Sequence, residues 1–267
     1  MLDLSPFSIL FDTPGRVVDP LSWAEHIPFA YFLVQLLQPR VLVELGVHSG
    51  NSYTAFCQAV DTLGLPTSCY GIDTWEGDVH AGLYDNEIYN DLNEYHQEKF
   101  AKFSNLMRMT FDEALDYFSD NSIDLLHIDG LHTYDAVRHD FETWLPKMSE
   151  RGLVLFHDIQ VKERDFGVWQ LWEEVSSRYP AIRLRNSHGL GVLFVGSDMP
   201  KALQVFFAAF QNSDFYGSLF HRLGHFLVTE VKQGRARESL ELSNERLKSP
   251  SAIISHAIDT EPTNWGE

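Results

Sequence analysis

Cysteine is scarce in this chain, which contains only Cys57 and Cys69. Two cysteines cannot build the disulfide framework of a secreted mini-domain, so a reducing compartment is the simplest expectation. No apolar run reaches the roughly 18 residues of a membrane-spanning helix. The first residues also lack the basic start and apolar core of a signal peptide. We therefore expect a cytoplasmic protein without a membrane span.

Basic residues are also few, with 20 lysines and arginines against 38 acids and a formal net charge of −18. Such a surface repels phosphate backbones and anionic membranes, so nucleic acid is not an expected partner. The chain has 267 residues, of which 44% are hydrophobic. This is enough for one substantial core with an appendage.

Both common phosphate-binding patterns are missing from Val41–Ser52, the segment that most resembles a nucleotide site. It reads as a buried strand, a turn with Gly46 and Gly50, and a helix start that Asn51 or Ser52 is expected to cap. A dinucleotide fingerprint needs Gly-x-Gly-x-x-Gly, and a phosphate loop needs a lysine after its last glycine. Neither pattern is present, which argues against a dinucleotide or a nucleoside triphosphate as the ligand of this turn.

The acid in this segment favours a cationic ligand. Glu44 stands two positions before the first glycine, where it would repel a pyrophosphate. S-Adenosylmethionine fits, because it carries an ammonium and a sulfonium group and no phosphate. Asp73 ends the second predicted strand, where a carboxylate can accept both ribose hydroxyls. We predict cofactor contacts from Glu44, Gly46, His48, Gly50, Asp73, Thr74, Phe111 and Asp129.

Acids and imidazoles follow the fourth and fifth predicted strands. Asp129 and His132 come after the fourth strand, and His157 and Asp158 come after the fifth. Such a group can hold a metal ion or act as an acid–base pair. The unperturbed pKa of histidine is about 6.5, so His132 or His157 could serve as general base. We predict Asp129, His132 and His157 as catalytic residues.

Strands and helices alternate along most of the chain, which predicts an α/β fold with a mostly parallel sheet and helices on both faces. The five predicted strands begin at Val41, Thr67, Leu106, Ser122 and Gly152. A hairpin of residues 181–184 and 192–195 breaks the alternation and should add one antiparallel strand. We place this domain at residues 1–199.

Residues 200–267 form a predicted helical extension without a chemical cluster of its own. Helices are predicted over residues 202–210, 214–231 and 233–248, and the last twenty residues are expected to be frayed. Packing or dimerisation is the expected role. A second unusual stretch, residues 74–103, is aromatic and acidic and is long for a loop after a strand. It predicts either a lid or a surface helix with an acidic face.

Five motifs together resemble class I S-adenosylmethionine-dependent methyltransferases. They are Glu44-Leu-Gly-Val-His-Ser-Gly50, Gly71-Ile-Asp-Thr-Trp-Glu-Gly-Asp78, His127-Ile-Asp-Gly-Leu-His-Thr-Tyr134, Phe156-His-Asp158 and His188-Gly-Leu-Gly191. More narrowly, they resemble a bacterial subgroup often encoded with, or fused to, glycosyltransferases for cell-surface polysaccharide.

The resemblance covers roughly residues 23–196 and implies a Rossmann-like sheet of seven strands with an antiparallel last strand. Related O-methyltransferases hold Mg²⁺ with an acid after the fourth strand and two residues after the fifth. Asp129, His157 and Asp158 match those positions. The chain departs from the pattern at His48, where many methyltransferases have glycine. It also departs at His157, because imidazole suits Mn²⁺, Fe²⁺ or Zn²⁺ better than Mg²⁺.

The leading hypothesis is an O-methyltransferase acting on a sugar hydroxyl or a similar small polyol, with S-adenosylmethionine as methyl donor and a possible divalent metal, Mg²⁺ or Mn²⁺. A nicotinamide-dependent oxidoreductase is an alternative from another enzyme class. A third hypothesis is a non-catalytic partner of a glycosyltransferase. The C-terminal helices could mediate such a partnership or a homo-oligomer.

Overall fold

The computed structural model describes residues 3–78, 82–83 and 86–248. By its internal contacts the chain divides into two compact units, Met1–His225 and Phe226–Glu267. The sheet, its covering helices and every predicted site residue belong to the first unit. No described helix combines the length and apolar character that crossing a membrane requires.

A seven-stranded sheet forms the centre of the first unit, as the sequence predicts. The described strands of the chain are β1 Val41–Leu45, β2 Ser68–Asp73, β3 Gly77–Asp78, β4 Gly82–Leu83, β5 Ser104–Arg108, β6 Ile123–Ile128, β7 Met148–His157, β8 Ala181–Leu184 and β9 Leu190–Phe194. The order across the sheet is β5-β2-β1-β6-β7-β9-β8, and β3 pairs separately with β4. In the seven-stranded sheet, β9 pairs antiparallel with both of its neighbours, and the other pairs of strands in this sheet are parallel. The predicted antiparallel terminal hairpin is thus confirmed.

Helices cover both faces of the sheet. The described α-helices are α1 Ile27–Leu37, α2 Asn51–Thr62, α3 Asn86–Lys99, α4 Phe111–Ala114, α5 Tyr134–Trp144, α6 Val168–Val175, α7 Lys201–Gln211 and α8 Phe215–Lys248, the last of which continues into the second unit. Trp144 of α5 and Trp172 of α6 belong to the core cluster on one face. On the other face, the His127 ring of β6 contacts the rings of Trp23 and Phe56. Cover on both faces explains why the central strands are apolar nearly throughout.

The first unit continues past residue 200. Phe206 of α7 and Phe220 of α8 pack their rings against Phe29 and Phe32 of α1. The two helices predicted over residues 214–231 and 233–248 are one continuous helix, α8. That prediction was wrong because no proline separates them and the single glycine there, Gly234, costs a helix only about 1 kcal/mol.

The second unit is described only as far as residue 248, through the remainder of α8. Two of its leucines, Leu240 and Leu242, are exposed. The predicted frayed terminus lies almost wholly outside the described residues. Within the predicted lid, residues 79–81 and 84–85 also lie outside them, and the rest includes β3, β4 and α3. A lid function therefore stays a prediction.

Candidate active site

A crevice of about 780 Å³ opens where β1, β2, β6 and β7 end. Its walls come from the glycine turn after β1, the ends of β2, β6 and β7, and the start of α4. Pro20, Ser22, Trp23, the loop between β7 and α6, and the β8–β9 turn also line it. Carboxyl ends of parallel strands are the usual ligand position in open α/β sheets. The volume is within the range of small-molecule sites.

The glycine turn after β1 needs both of its glycines. Gly46 and Gly50 have φ angles of +87° and +86°, in the left-handed region that favours glycine. A Cβ on Gly46 would lie 2.2 Å from the backbone oxygen of Asp129. The turn and the end of β6 are therefore in backbone contact, which leaves no room for a side chain.

The predicted cap of helix α2 was wrong. The N-cap is Gly50, and neither Asn51 nor Ser52 fills that role. Asn51 instead exchanges hydrogen bonds with the backbone of Val18 at 2.8 and 2.9 Å and also donates to the Pro20 carbonyl. Its side chain fastens the N-terminal segment to the start of the helix.

Asp73 stabilises the glycine turn and also lines the crevice. Its Oδ2 accepts hydrogen bonds from the amides of Val47 and His48, each at 2.9 Å, and its Oδ1 accepts from the Trp75 amide at 2.7 Å. Thr74 lines the crevice beside it. Each carboxylate oxygen has two lone pairs, so these bonds leave acceptor capacity for a ligand.

His48 and Phe111 also line the crevice, as predicted residues of the cofactor side. His48 has a φ of +49°, so the residue at this position keeps the left-handed backbone that glycine favours. Its carbonyl accepts a hydrogen bond from the Trp75 indole at 2.9 Å. A Cβ on Gly130 would lie 2.5 Å from the Phe111 ring, so the ring packs directly over the end of β6.

Glu44 lies behind the crevice wall, which corrects the prediction that it contacts the cofactor directly. Its side chain is fully buried and is absent from the crevice lining. One carboxylate oxygen accepts from the Ser52 hydroxyl at 2.5 Å, and the other lies 3.3 Å from Nδ1 of His127. Burial raises the pKa of Glu44. The side chain thus ties the start of α2 to strands β1 and β6.

Two carboxylates and three imidazoles form one cluster at the ends of β6 and β7. Nε2 of His132 lies 2.9 Å from Asp158 and 3.6 Å from Asp129. Nδ1 of His157 lies 3.1 Å from Asp129 and 3.3 Å from Asp158. His188, from the β8–β9 turn, bonds Asp158 at 2.9 Å. The structure thus brings together every residue predicted for catalysis.

Together, the hydrogen bonds and ion pairs within this cluster shift the pKa values of Asp129, His132 and Asp158 more than burial does. Burial opposes the charged form of His132, yet its hydrogen bonds to Asp129 and Asp158 raise its pKa to about 10. Burial alone would raise the pKa of Asp129 and of Asp158. The charge of His157 and hydrogen bonds from the histidines outweigh it and hold both pKa values below their usual range. At neutral pH His132 therefore keeps its proton, which corrects the expectation of a free base with a pKa near the unperturbed value.

Two groups of side chains in the cluster could hold a metal ion, and neither is identical to the predicted set of Asp129, His157 and Asp158. Donor atoms of Asp129, His132 and Asp158 lie within 4.8 Å of one another, and so do those of His157, Asp158 and His188. Adjacent ligands on an octahedral ion with bonds of about 2.1 Å lie about 3 Å apart. Both groups are close enough to hold one ion, and Nδ1 of His157 lies 3.1 Å from Asp129 and 3.3 Å from Asp158, so the predicted set of Asp129, His157 and Asp158 stays a prediction.

Phe166 and His26 also shape this cluster, and neither is predicted from the sequence. The Phe166 ring is stacked on His132 with centroids 4.7 Å apart and 9° between the planes. The buried ring of His26 meets His157 edge-on at 5.7 Å, and burial lowers its pKa well below the usual value. Both contacts join segments remote in sequence. No local pattern marks them.

Comparisons with known proteins agree with this fold. Residues 43–159 match a family model described as "Methyltransferase domain". An uncharacterized protein of Sinorhizobium fredii, y4gI, is 42% identical over 238 residues, which cover 88% of this chain and 26% of that protein. The chain thus spans about a quarter of the length of this curated relative.

Two solved structures show the same architecture. A Staphylococcus aureus protein assigned to the caffeoyl-CoA O-methyltransferases is 17% identical, with a TM-score of 0.50 over 72% of this chain and 90% of its own. Cofactor-bound Rv0187 from MTB is 13% identical, with a TM-score of 0.50 over 70% and 85%. At these identities the likeness is one of fold. Residues 43–159 thus resemble a methyltransferase domain, and the sheet and helices around them have the Rossmann-like architecture of these solved structures.

Proposed function

We propose that this domain is an O-methyltransferase that acts on a sugar hydroxyl or a similar small polyol. The observation that carries the proposal is the cluster of Asp129, His132, His157, Asp158 and His188 in the same crevice as the glycine turn. A methyl donor held at the turn would place its methyl group beside polar groups able to orient an acceptor hydroxyl. This arrangement supports the proposal that one crevice holds both the methyl donor and its acceptor.

The donor side of the crevice suits S-adenosylmethionine. Gly46 and Gly50 allow close approach to the backbone, Asp73 has one spare acceptor position, on Oδ1, for a ribose hydroxyl, and Phe111 offers an aromatic face. Among the residues that the structure describes, no lysine or arginine lines this side. Glu44 would act indirectly, by holding Ser52 and the start of α2 in place.

The acceptor side is polar with a few aromatic surfaces, which is the character expected for a polyol site. Trp23 and Phe166 supply the rings. The polar side chains on this side, besides the cluster, include Ser22, Gln160, Ser187 and His188. Hydroxyl-rich ligands need many hydrogen-bond partners, because a polar group that loses water unpaired costs binding energy.

A weak base is sufficient for this reaction. The acceptor oxygen becomes strongly acidic as its bond to the methyl carbon forms, so its proton can leave late. Asp129 or Asp158 could receive it despite their lowered pKa values. His132, protonated at neutral pH, would hold both carboxylates in position rather than take the proton.

A divalent metal is part of this proposal, with Asp129, His132 and Asp158 as its ligands. Because only a neutral imidazole binds a metal ion, the ion would have to displace the proton that His132 carries in the metal-free protein. When bound, the ion would lower the pKa of an acceptor hydroxyl and fix its orientation. The mixed carboxylate and imidazole donors suit Mn²⁺ at least as well as Mg²⁺. Calorimetric titration with each ion tests this, and His132→Ala should weaken Mn²⁺ binding. Equal binding by the variant would remove His132 from the ligand set.

The biological setting is also a proposal. The resemblance to proteins encoded with polysaccharide glycosyltransferases supports a glycan acceptor in the cytoplasm. The much greater length of the Sinorhizobium fredii relative is compatible with a larger assembly, to which residues 200–267 could contribute. Co-purification of the full chain with a candidate glycosyltransferase tests this partnership.

Calorimetric titration with S-adenosylhomocysteine tests the donor site. We expect binding in the micromolar range, about −8 kcal/mol. Absence of binding by either S-adenosylmethionine or S-adenosylhomocysteine would contradict the proposed function. A parallel titration with NADH is expected to show none, because the turn lacks the dinucleotide fingerprint.

A further inference from the structure

Two cations line the acceptor side of the crevice. The loop between β7 and α6 carries Lys162 and Arg164, and both contribute to the crevice wall. Among the described residues they are the only lysine and arginine there. Their position is notable in a chain with a net charge of −18, where chance would favour acids.

Neither cation is neutralised by an acid within the described residues. Many of the other basic residues have carboxylate partners, as Arg40 has in Asp124 and Arg138 has in Glu142. Nζ of Lys162 instead lies 4.3 Å from the centroid of the Trp169 ring, a contact that orients the ammonium without cancelling its charge. Arg164 has neither an ion pair nor a ring contact in the described part of the chain.

The nearby carboxylates do not offset these charges. Asp129 and Asp158 are both engaged by histidines at 2.9 to 3.1 Å, so their charge is largely balanced within the cluster. Glu163, between the two cations in sequence, also lines the crevice. Among residues 160–166, all of which the structure describes, two cations and one acid therefore line the crevice, which gives this stretch of its wall a net positive charge.

We propose that Lys162 and Arg164 bind an oxyanion, a phosphate ester or a carboxylate, on the sugar that the domain methylates. This inference rests on the proposed function and specifies its acceptor class. A guanidinium binds both oxyanions through two parallel hydrogen bonds, and an ammonium adds a point charge. Binding at the wall would leave a hydroxyl elsewhere on the same sugar free to face the cluster.

The test measures binding without turnover. In the presence of S-adenosylhomocysteine, the full chain is titrated with glucose 1-phosphate, glucuronic acid and glucose. We expect at least one anionic sugar to bind about tenfold more tightly than glucose, and Arg164→Ala to remove most of that preference. The two anionic sugars separate a phosphate source from a carboxylate source.

Two further variants sharpen this result. Arg138→Ala removes the same charge from an exposed pair outside the crevice, so it should bind like the parent. Glu163→Gln should strengthen anion binding. Equal affinity for the three sugars, no measurable binding of any of them, or an unchanged preference in Arg164→Ala would overturn the inference.

Methyl transfer separates this inference from the proposed function. Equal methylation of glucose by the parent and by Arg164→Ala, without a preference for anionic sugars, would overturn the inference and leave the methyltransferase assignment standing. Tight, Arg164-dependent binding of an anionic sugar that is never methylated would support the anion site and contradict the methyl-transfer assignment.

Discussion

His132 donates a hydrogen bond from Nε2 to Oδ2 of Asp158 across 2.9 Å, joining the turn after β6 to the residue that follows β7. Asp158 has a φ of +61°, so its backbone adopts a conformation that few side chains favour. The same carboxylate also accepts from His188. His157, at the end of β7, lies 3.3 Å from Asp158. Asp158 thus has partners on three segments of the chain.

Asp158→Asn should separate catalysis from cofactor binding. The amide removes the charge that holds His132 and His188, so we expect kcat to fall by about 100-fold or more. Affinity for S-adenosylhomocysteine should stay within about twofold, because the glycine turn is untouched. Steady-state kinetics and calorimetry measure the two effects. Asp120→Asn, which removes an exposed acid outside the crevice, is the control. Equal losses in both measurements would show that Asp158 is structural.

Gly46→Ala should abolish donor binding. The added Cβ would lie 2.2 Å from the Asp129 carbonyl, and alanine disfavours a φ of +87°. We expect the free energy of unfolding to fall by more than about 1 kcal/mol and calorimetry to show no S-adenosylhomocysteine binding. Gly234→Ala is the matched control, since nothing lies within 4 Å of its Cβ position. A Gly46→Ala protein with parental affinity would refute the donor site.

Phe166 should act as a positioning residue for His132. Removing the stacked ring in Phe166→Ala frees the imidazole to turn, so kcat should fall about tenfold while KM for S-adenosylmethionine stays constant. Phe166→Tyr keeps the stack and should restore most of the rate. Ring ¹⁵N shifts of His132 should change in the alanine variant alone. Unchanged shifts in Phe166→Ala would mean that the stack does not orient His132.

Much of the framework is predictable from the sequence. Apolar runs ending in acids predict a parallel sheet, and the glycine spacing predicts the turn at Gly46 and Gly50. Residues at strand ends, such as Asp129 and Asp158, converge because parallel strands end at one edge. These features depend on local patterns and on a topology that those patterns specify.

Side-chain direction and long-range partners are harder to predict. Glu44 has the right position for a cofactor contact but points into the core, where it meets His127 of the neighbouring strand. Glu44 and His127 are paired in register on adjacent strands, and this pairing is the signal that could have indicated their contact. The raised pKa of His132 depends on two carboxylates, Asp129 and Asp158, which follow different strands. The spacing of these residues in the sequence does not indicate how far each carboxylate lies from the His132 ring.

Asp140 gives the stability of the fold a pH dependence. Burial raises its pKa to about 7, so the folded state favours the neutral acid. The contribution of the neutral carboxyl to the free energy of unfolding is fully present below the unfolded pKa of about 3.9 and is lost as the pH rises through 7. The Asp140→Asn variant has no carboxyl at this position, so it does not lose this stability as the pH rises. Its free energy of unfolding relative to the parent should rise between pH 4 and pH 8, by up to about 4 kcal/mol. Urea unfolding measures this, and parallel pH curves would contradict it.

Transfer of a labelled methyl group tests the central claim most directly. Purified protein is incubated with methyl-labelled S-adenosylmethionine, Mn²⁺ or Mg²⁺, and a panel of neutral and anionic sugars. We expect label on a sugar oxygen, formation of S-adenosylhomocysteine, and loss of both products in Asp158→Asn. Label on no sugar, or equal label with the parent and Asp158→Asn, would contradict it.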